Sequence, residues 1–98
     1  MAINDFTYKN NNTIITGLKN KNLKEIIIPE GVLEIDKIAF CEERFTKVTF
    51  PSTLKKICYG AFDFCEELEE LVFSDFSCLE IIDEAAFSNC FKLKKLNP

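Results

Sequence analysis

Ile28-Pro29-x-x-Val32-x-x-Ile35-x-x-x-Ala39-Phe40 returns, with the same spacing, as Phe50-Pro51-x-x-Leu54-x-x-Ile57-x-x-x-Ala61-Phe62. A looser third copy ends at Ala86-Phe87. Just upstream, each copy opens with apolar-x-x-apolar-x-apolar: Leu23, Ile26 and Ile28, then Phe45, Val48 and Phe50, then Leu68, Leu71 and Phe73. Self-similarity at a period of roughly 20 to 30 residues marks a solenoid, in which each unit buries its apolar face only against its neighbours. The last two members of each trio are two residues apart, so they leave a strand on the same face. Each run is therefore one short strand of a parallel sheet.

Val32/Ile35, Leu54/Ile57 and Leu79/Ile82 supply a second apolar pair on the return path. Ala-Phe follows on a short helical turn that sends Phe40, Phe62 and Phe87 into the core. Strand starts at 23, 45, 68 and 93 give coils of 22, 23 and 25 residues. The first coil loses a residue after Phe40. The third gains two within Ser74-Asp75-Phe76-Ser77-Cys78, expected to bulge as a loop. Pro29 and Pro51 close the first two strands, where a missing backbone donor is tolerated.

Residues 1–22 stand outside the repeat. Phe6-Thr7-Tyr8 and Thr13-Ile14-Ile15-Thr16 are β-prone runs either side of Lys9 to Asn12, and Asn accepts the left-handed conformations of a tight reversal. A capping β-hairpin is expected there, followed over residues 23–98 by three repeats and an incomplete fourth strand. Leu93-Lys94-Lys95-Leu96 opens that strand, and Asn97-Pro98 ends it. Either the chain opens a longer array, or its C-terminal edge is covered by another copy in self-association.

The order Ile-Pro, Val-x-x-Ile, Ala-Phe-x-x-Cys resembles the BspA-type, or Treponema-type, leucine-rich repeat, Leu-x-x-Ile-x-Ile-Pro-x-x-Val-x-x-Ile-Gly-x-x-Ala-Phe-x-x-Cys. Leu23 to Lys92 carries the pattern, and Phe45 through Cys65 matches nearly throughout. The Gly after the return-path Ile is replaced by Asp36, Cys58 and Asp83, which predicts a different local turn. The resemblance implies a leucine-rich-repeat solenoid and a non-catalytic role in surface proteins that adhere to host proteins or cells. It transfers no ligand-contacting residue.

If the apolar trio faces inward, Ile27, Thr49, Val72 and Asn97 point out of the sheet, as does the row Glu25, Lys47, Glu70 and Lys95. That row alternates in sign, which favours pairing of neighbouring strands by a few tenths of a kcal/mol per pair, about what a register-holding ladder supplies. The same face is the surface on which repeat proteins bind, and its mixed charge suits a protein partner. Glu25, Ile27, Lys47, Thr49, Glu70, Val72 and Lys95 form the candidate binding face. Between Ile57 and Phe91 lie nine acidic residues and no Lys or Arg, so the third coil is an acidic band between two basic regions. Such a band is a solvated face, a dock for a basic partner, or the contact in a head-to-tail association in which the Lys-rich end of one molecule meets the acidic band of another.

Other functions find little support. The chain has no His, and its glycines, Gly17, Gly31 and Gly60, form no phosphate-cradling loop. No residues are arranged for catalysis, no cofactor is implied, and no Cys-x-x-Cys pair builds a zinc site. Net charge is −4, and no basic stripe invites nucleic acid. No apolar segment approaches the roughly 20 residues of a membrane span. No signal peptide opens the sequence, which leaves the cytoplasm beside the cell surface implied by the resemblance. The cysteines number five, an odd count that cannot pair completely. Cys65 and Cys90 share one repeat position and are expected as stacked, buried thiols.

Overall fold

The computed structural model describes residues 2–97. A 3-10 turn, Ala2–Asp5, leads into a hairpin of β1 (Phe6–Lys9) and β2 (Ile14–Leu18). Its loop holds Asn10, Asn11 and Asn12 at φ of 54°, 55° and 62°, the left-handed backbone the asparagines were expected to accept. Three coils follow. Each contributes one strand to a front sheet, β3 (Glu25–Ile27), β5 (Lys47–Thr49) and β7 (Glu70–Val72), and one to a back sheet, β4 (Glu34–Ile35), β6 (Lys56–Ile57) and β8 (Ile81–Ile82). The start of a fourth coil, β9 (Lys95–Asn97), ends the front sheet.

The front sheet runs β3-β5-β7-β9, all parallel, and the back sheet runs β1-β2-β4-β6-β8. β2 pairs parallel with β4, so the hairpin continues the back sheet as if it were a coil's return strand. Glu25 pairs with Lys47, Lys47 with Glu70, and Glu70 with Lys95, which reproduces the 22-, 23- and 25-residue spacing. On the back sheet the longer step falls between Lys56 and Ile81, so the two extra residues lie between β7 and β8, where the loop was expected.

The Ala-Phe corner forms a third ladder without strands. Phe40 N–H donates to the Ala61 carbonyl at 2.7 Å, and Phe62 N–H to the Ala86 carbonyl at 2.8 Å. Ala39, Ala61 and Ala86 are buried, as a close backbone approach requires. Each corner is a run of hydrogen-bonded turns and not a continuous helix, because a left-handed residue interrupts it: Ile38 (φ 50°), Gly60 (φ 62°) and Ala85 (φ 59°). The special backbone position thus lies two residues beyond Asp36, Cys58 and Asp83. Those three extend the back-sheet ladder instead, donating to the carbonyls of Ile15, Ile35 and Ile57 at 2.8–3.0 Å.

The trios and return-path pairs fill the space between the sheets. Phe40, Phe45, Phe62, Ile26, Ile35, Val48, Leu54, Ile57 and Leu68 are essentially inaccessible to solvent. Phe62 sits at the centre, with ring centroids of Phe40, Phe45, Phe50 and Phe87 between 4.9 and 6.1 Å away. Burial is incomplete in the third coil: Leu68, Leu71 and Ala86 are buried, but the return path and the corner ring are not fully covered. Ile82, the counterpart of the wholly buried Ile35 and Ile57, is 51% exposed. Leu79 and Phe87 are only half-buried.

All five cysteines are free thiols. Cys65 Sγ donates to the Phe40 carbonyl at 2.9 Å, and Cys90 Sγ to the Phe62 carbonyl at 3.1 Å, so the repeated Cys ties each corner to the coil before it. Burial pushes the Cys65 thiol up to about 12.

Candidate protein-binding face

On the front sheet the strand period of two places Ile26, Val48 and Leu71 inward, all at 3% exposure or less. Their neighbours therefore point outward. Glu25, Lys47 and Glu70 occupy one register row, and Ile27, Thr49 and Val72 another. Lys95 and Asn97 hold the corresponding backbone positions of β9, opposite Glu70 and Val72. The placement of the Lys95 and Asn97 side chains, and Pro98 as a whole, lie outside what the structure describes.

The face is uneven. Glu25 and Ile27 on the first strand are exposed, Ile27 at 62%, whereas Lys47, Thr49, Glu70 and Val72 are half-buried by their neighbours across the sheet. Among the described residues of this face, solvent-facing apolar surface is thus concentrated at the N-terminal edge, where β3 has a described sheet partner on one side only. Thr46 N–H and Oγ1 both reach the Lys24 carbonyl, and Ile28 N–H reaches the Thr49 carbonyl, which holds β3 against β5.

Three features escaped the sequence reading. Beside the corner, Glu42, Glu43, Arg44, Phe64, Glu66 and Glu67 line an open groove of about 340 Å³. Lys21 pairs with Glu43, and Lys92 with Glu67 at 2.8 Å, each across one coil. The Lys92 hydrogen bond and charge hold the Glu67 carboxyl below its usual value, and Glu67 raises Lys92 in turn. The acidic run at 63–70 was visible in the sequence, but not the basic residues folded onto its rim.

On the back sheet, Glu34, Asp36 and Cys58 bring ligand-type atoms within 4.8 Å of one another. The Cys58 thiol donates to Glu34 Oε2 at 3.5 Å, and Lys9 pairs with Asp36 at 3.1 Å. Burial and the Glu34 hydrogen bond push Cys58 up to about 11, so a neutral thiol completes an ion-paired cluster. At the corner, Ile38 and Tyr59 are 60% and 57% exposed, and Ile38 N–H donates to the Tyr59 carbonyl. A β-branched residue at positive φ is a steric outlier, and nothing in the sequence announced Ile38 as one.

Among known proteins, a solved leucine rich cell surface protein from Faecalibacterium prausnitzii superposes with a TM-score of 0.77 and 29% sequence identity. The match covers 92% of this chain and 27% of that one, so the chain spans about a quarter of its length. A search of curated proteins returns no match. Residues 16–98 match the family described as the BspA type leucine rich repeat region (6 copies), and with that match over most of its length the chain belongs to the BspA-type leucine-rich repeat family.

Proposed function

We propose that the chain is a non-catalytic protein-binding module and that its front sheet is the binding face. The observation that carries this reading is the register. It aligns Glu25, Lys47 and Glu70, and Ile27, Thr49 and Val72, in neighbouring rows across three strands, with the backbone of Lys95 opposite Glu70, which supports a face of mixed charge. An exposed isoleucine, Ile27, stands at its N-terminal edge. Such a surface offers a protein partner apolar contact at Ile27 and charged groups that set orientation. The family is typically an interaction fold, and the structural relative is a cell surface protein, which supports a role in surface recognition or adhesion.

The test uses the purified chain on beads against immobilised extracellular-matrix and cell-surface glycoproteins. Lys47→Glu with Thr49→Arg, which leaves the inward residues in place, is expected to weaken binding at least about tenfold. Lys55→Glu, exposed on the other side of the molecule, serves as the control. Binding that survives the double substitution and falls with the control would move the interface off the front sheet. Antibody detection on intact cells tests the surface location separately.

A further inference from the structure

The groove beside the corner has its cause in the spacing of the first two coils. Phe62 and Leu68 are separated by five residues, as are Phe87 and Leu93, but Phe40 and Phe45 by four. Glu42, Phe64 and Asn89 share one ladder position. Glu42 N–H donates to the Asp63 carbonyl at 2.9 Å and Phe64 N–H to the Ser88 carbonyl at 3.0 Å, and all three residues are left-handed, at φ of 64°, 58° and 60°. Cys65 and Cys90 come next, whereas in the first coil Glu43 follows Glu42 directly. Register returns at Thr46, whose carbonyl accepts from Glu69 N–H at 2.8 Å. The first coil thus crosses from corner to front strand by a shorter path than the second, and the groove of about 340 Å³ opens between the two paths. That volume is at the small end of the roughly 300–1,000 Å³ of ligand sites.

Ion pairs cross the coil steps on either side of the groove, Lys21 to Glu43 and Lys92 to Glu67. The step between them differs. Glu43 and Glu66 are 23 residues apart, the spacing that sets Lys47 opposite Glu70, so here a carboxylate follows a carboxylate. Lys92, with a smaller pull from Arg44, holds the Glu67 carboxyl below its usual value, so the one cation of the lining already acts on Glu67. Glu42 and Glu66 are exposed, and among the described residues neither has an ion-pair partner. Phe64, 42% exposed, supplies an aromatic wall beside them.

We propose that this groove binds an arginine side chain presented by an extended segment of a partner protein, its guanidinium stacked on Phe64 and hydrogen-bonded to Glu42 and Glu66. A guanidinium is planar, more weakly hydrated than an ammonium, donates in pairs to carboxylates and stacks on aromatic faces, which matches two carboxylates and a ring in one recess. It also supplies the positive charge that the rim lacks between Glu43 and Glu66. The site lies at the corner, before the front strands begin, and stands apart from the front-sheet reading.

The test is amide NMR of the isotope-labelled full chain, titrated with a glycine-serine peptide carrying a central pair of arginines and with the same peptide carrying citrulline, which is uncharged and nearly isosteric. Saturable shifts confined to residues 42–44 and 64–67 are expected, with binding at least about tenfold weaker for citrulline. Glu66→Lys, on an exposed side chain, should weaken arginine-peptide binding at least about tenfold. Phe64→Asn, which installs the residue found at the same position of the third coil, should weaken it about threefold. Lys47→Glu with Thr49→Arg should leave it unchanged, so failure of the groove and failure of the front sheet are told apart. The proposal is overturned by the absence of saturable shifts up to about 1 mM peptide, by equal binding of the citrulline peptide, by shifts centred on the front sheet, or by a Glu66→Lys chain that binds as well as the original.

Discussion

Phe62 and Phe87 hold the same position in successive coils, yet truncating them should cost different amounts. Phe62 is fully buried, with four aromatic neighbours from its own coil and both adjacent ones. Phe87 stacks on Phe62 at 4.9 Å and 12°, but it is only half-buried, and no further corner covers its other face among the described residues. Phe→Ala in a closed core costs about 3–5 kcal/mol, the lost transfer energy plus the cavity left behind. Phe62→Ala should fall in the upper part of that range. Phe87→Ala removes a ring that is already partly exposed and leaves a site that water can enter, so a smaller loss of about 2–3 kcal/mol is expected. The assay is urea unfolding followed by far-ultraviolet circular dichroism. Folded domains of this size have about 5–15 kcal/mol in total, so Phe62→Ala should sit near the edge of folding, and Phe62→Leu gives a milder second reading. Equal losses at the two positions would refute the account of coil-by-coil burial, because they would require the last coil to be as well covered as the middle one.

Four outcomes follow from the same geometry. Under pulsed alkylation, exposed Cys78 should react first and Cys65 last, because burial both hides the Cys65 thiol and keeps it protonated; peptide mass spectrometry gives the order. With Cys58 raised to about 11 and Cys65 to about 12, both above the ordinary thiol value, the unfolded chain loses these protons first. Stability should therefore be flat with respect to these groups below about pH 9 and fall as pH rises toward 11–12. Cys58→Ser should shallow that decline in urea titrations at pH 8 and pH 10. Ile38→Gly relieves about 1–2 kcal/mol of left-handed strain and returns about 0.4–1 kcal/mol of chain freedom to the unfolded state, so a small rise in melting temperature is expected. Gly60→Ala, at φ 62° with the added carbon 3.4 Å from Ile38 Cγ2, should destabilise by about 1–2 kcal/mol in the same assay.

The strand register was legible because it rests on spacing alone. Apolar residues two apart must share a strand face, so Ile26/Ile28 and Val48/Phe50 announce both the strand and its inward side. The hairpin was legible for a related reason, since three consecutive asparagines accept a backbone that few residues do. The corner was only partly legible. Ala39, Ala61 and Ala86 signalled a close approach, but the left-handed residue falls on Ile38, Gly60 and Ala85, and only one of these is a glycine. Ladder hydrogen bonds made by a neighbouring coil impose that conformation on Ile38, and a local reading of its propensity points the other way.

Composition and spacing by themselves determined that this chain coils, where each coil begins, and which side chains face in on the front sheet, because those properties belong to residues a few positions apart. Tertiary structure alone decided which repeats are closed. Ile35, Ile57 and Ile82 read alike in sequence, yet two are sealed and the third is half open, since burial is conferred by the coil that lies next to a residue and not by the residue itself. The same holds for the groove beside Phe64, which is lined by residues of two successive coils and exists only once the chain has wound.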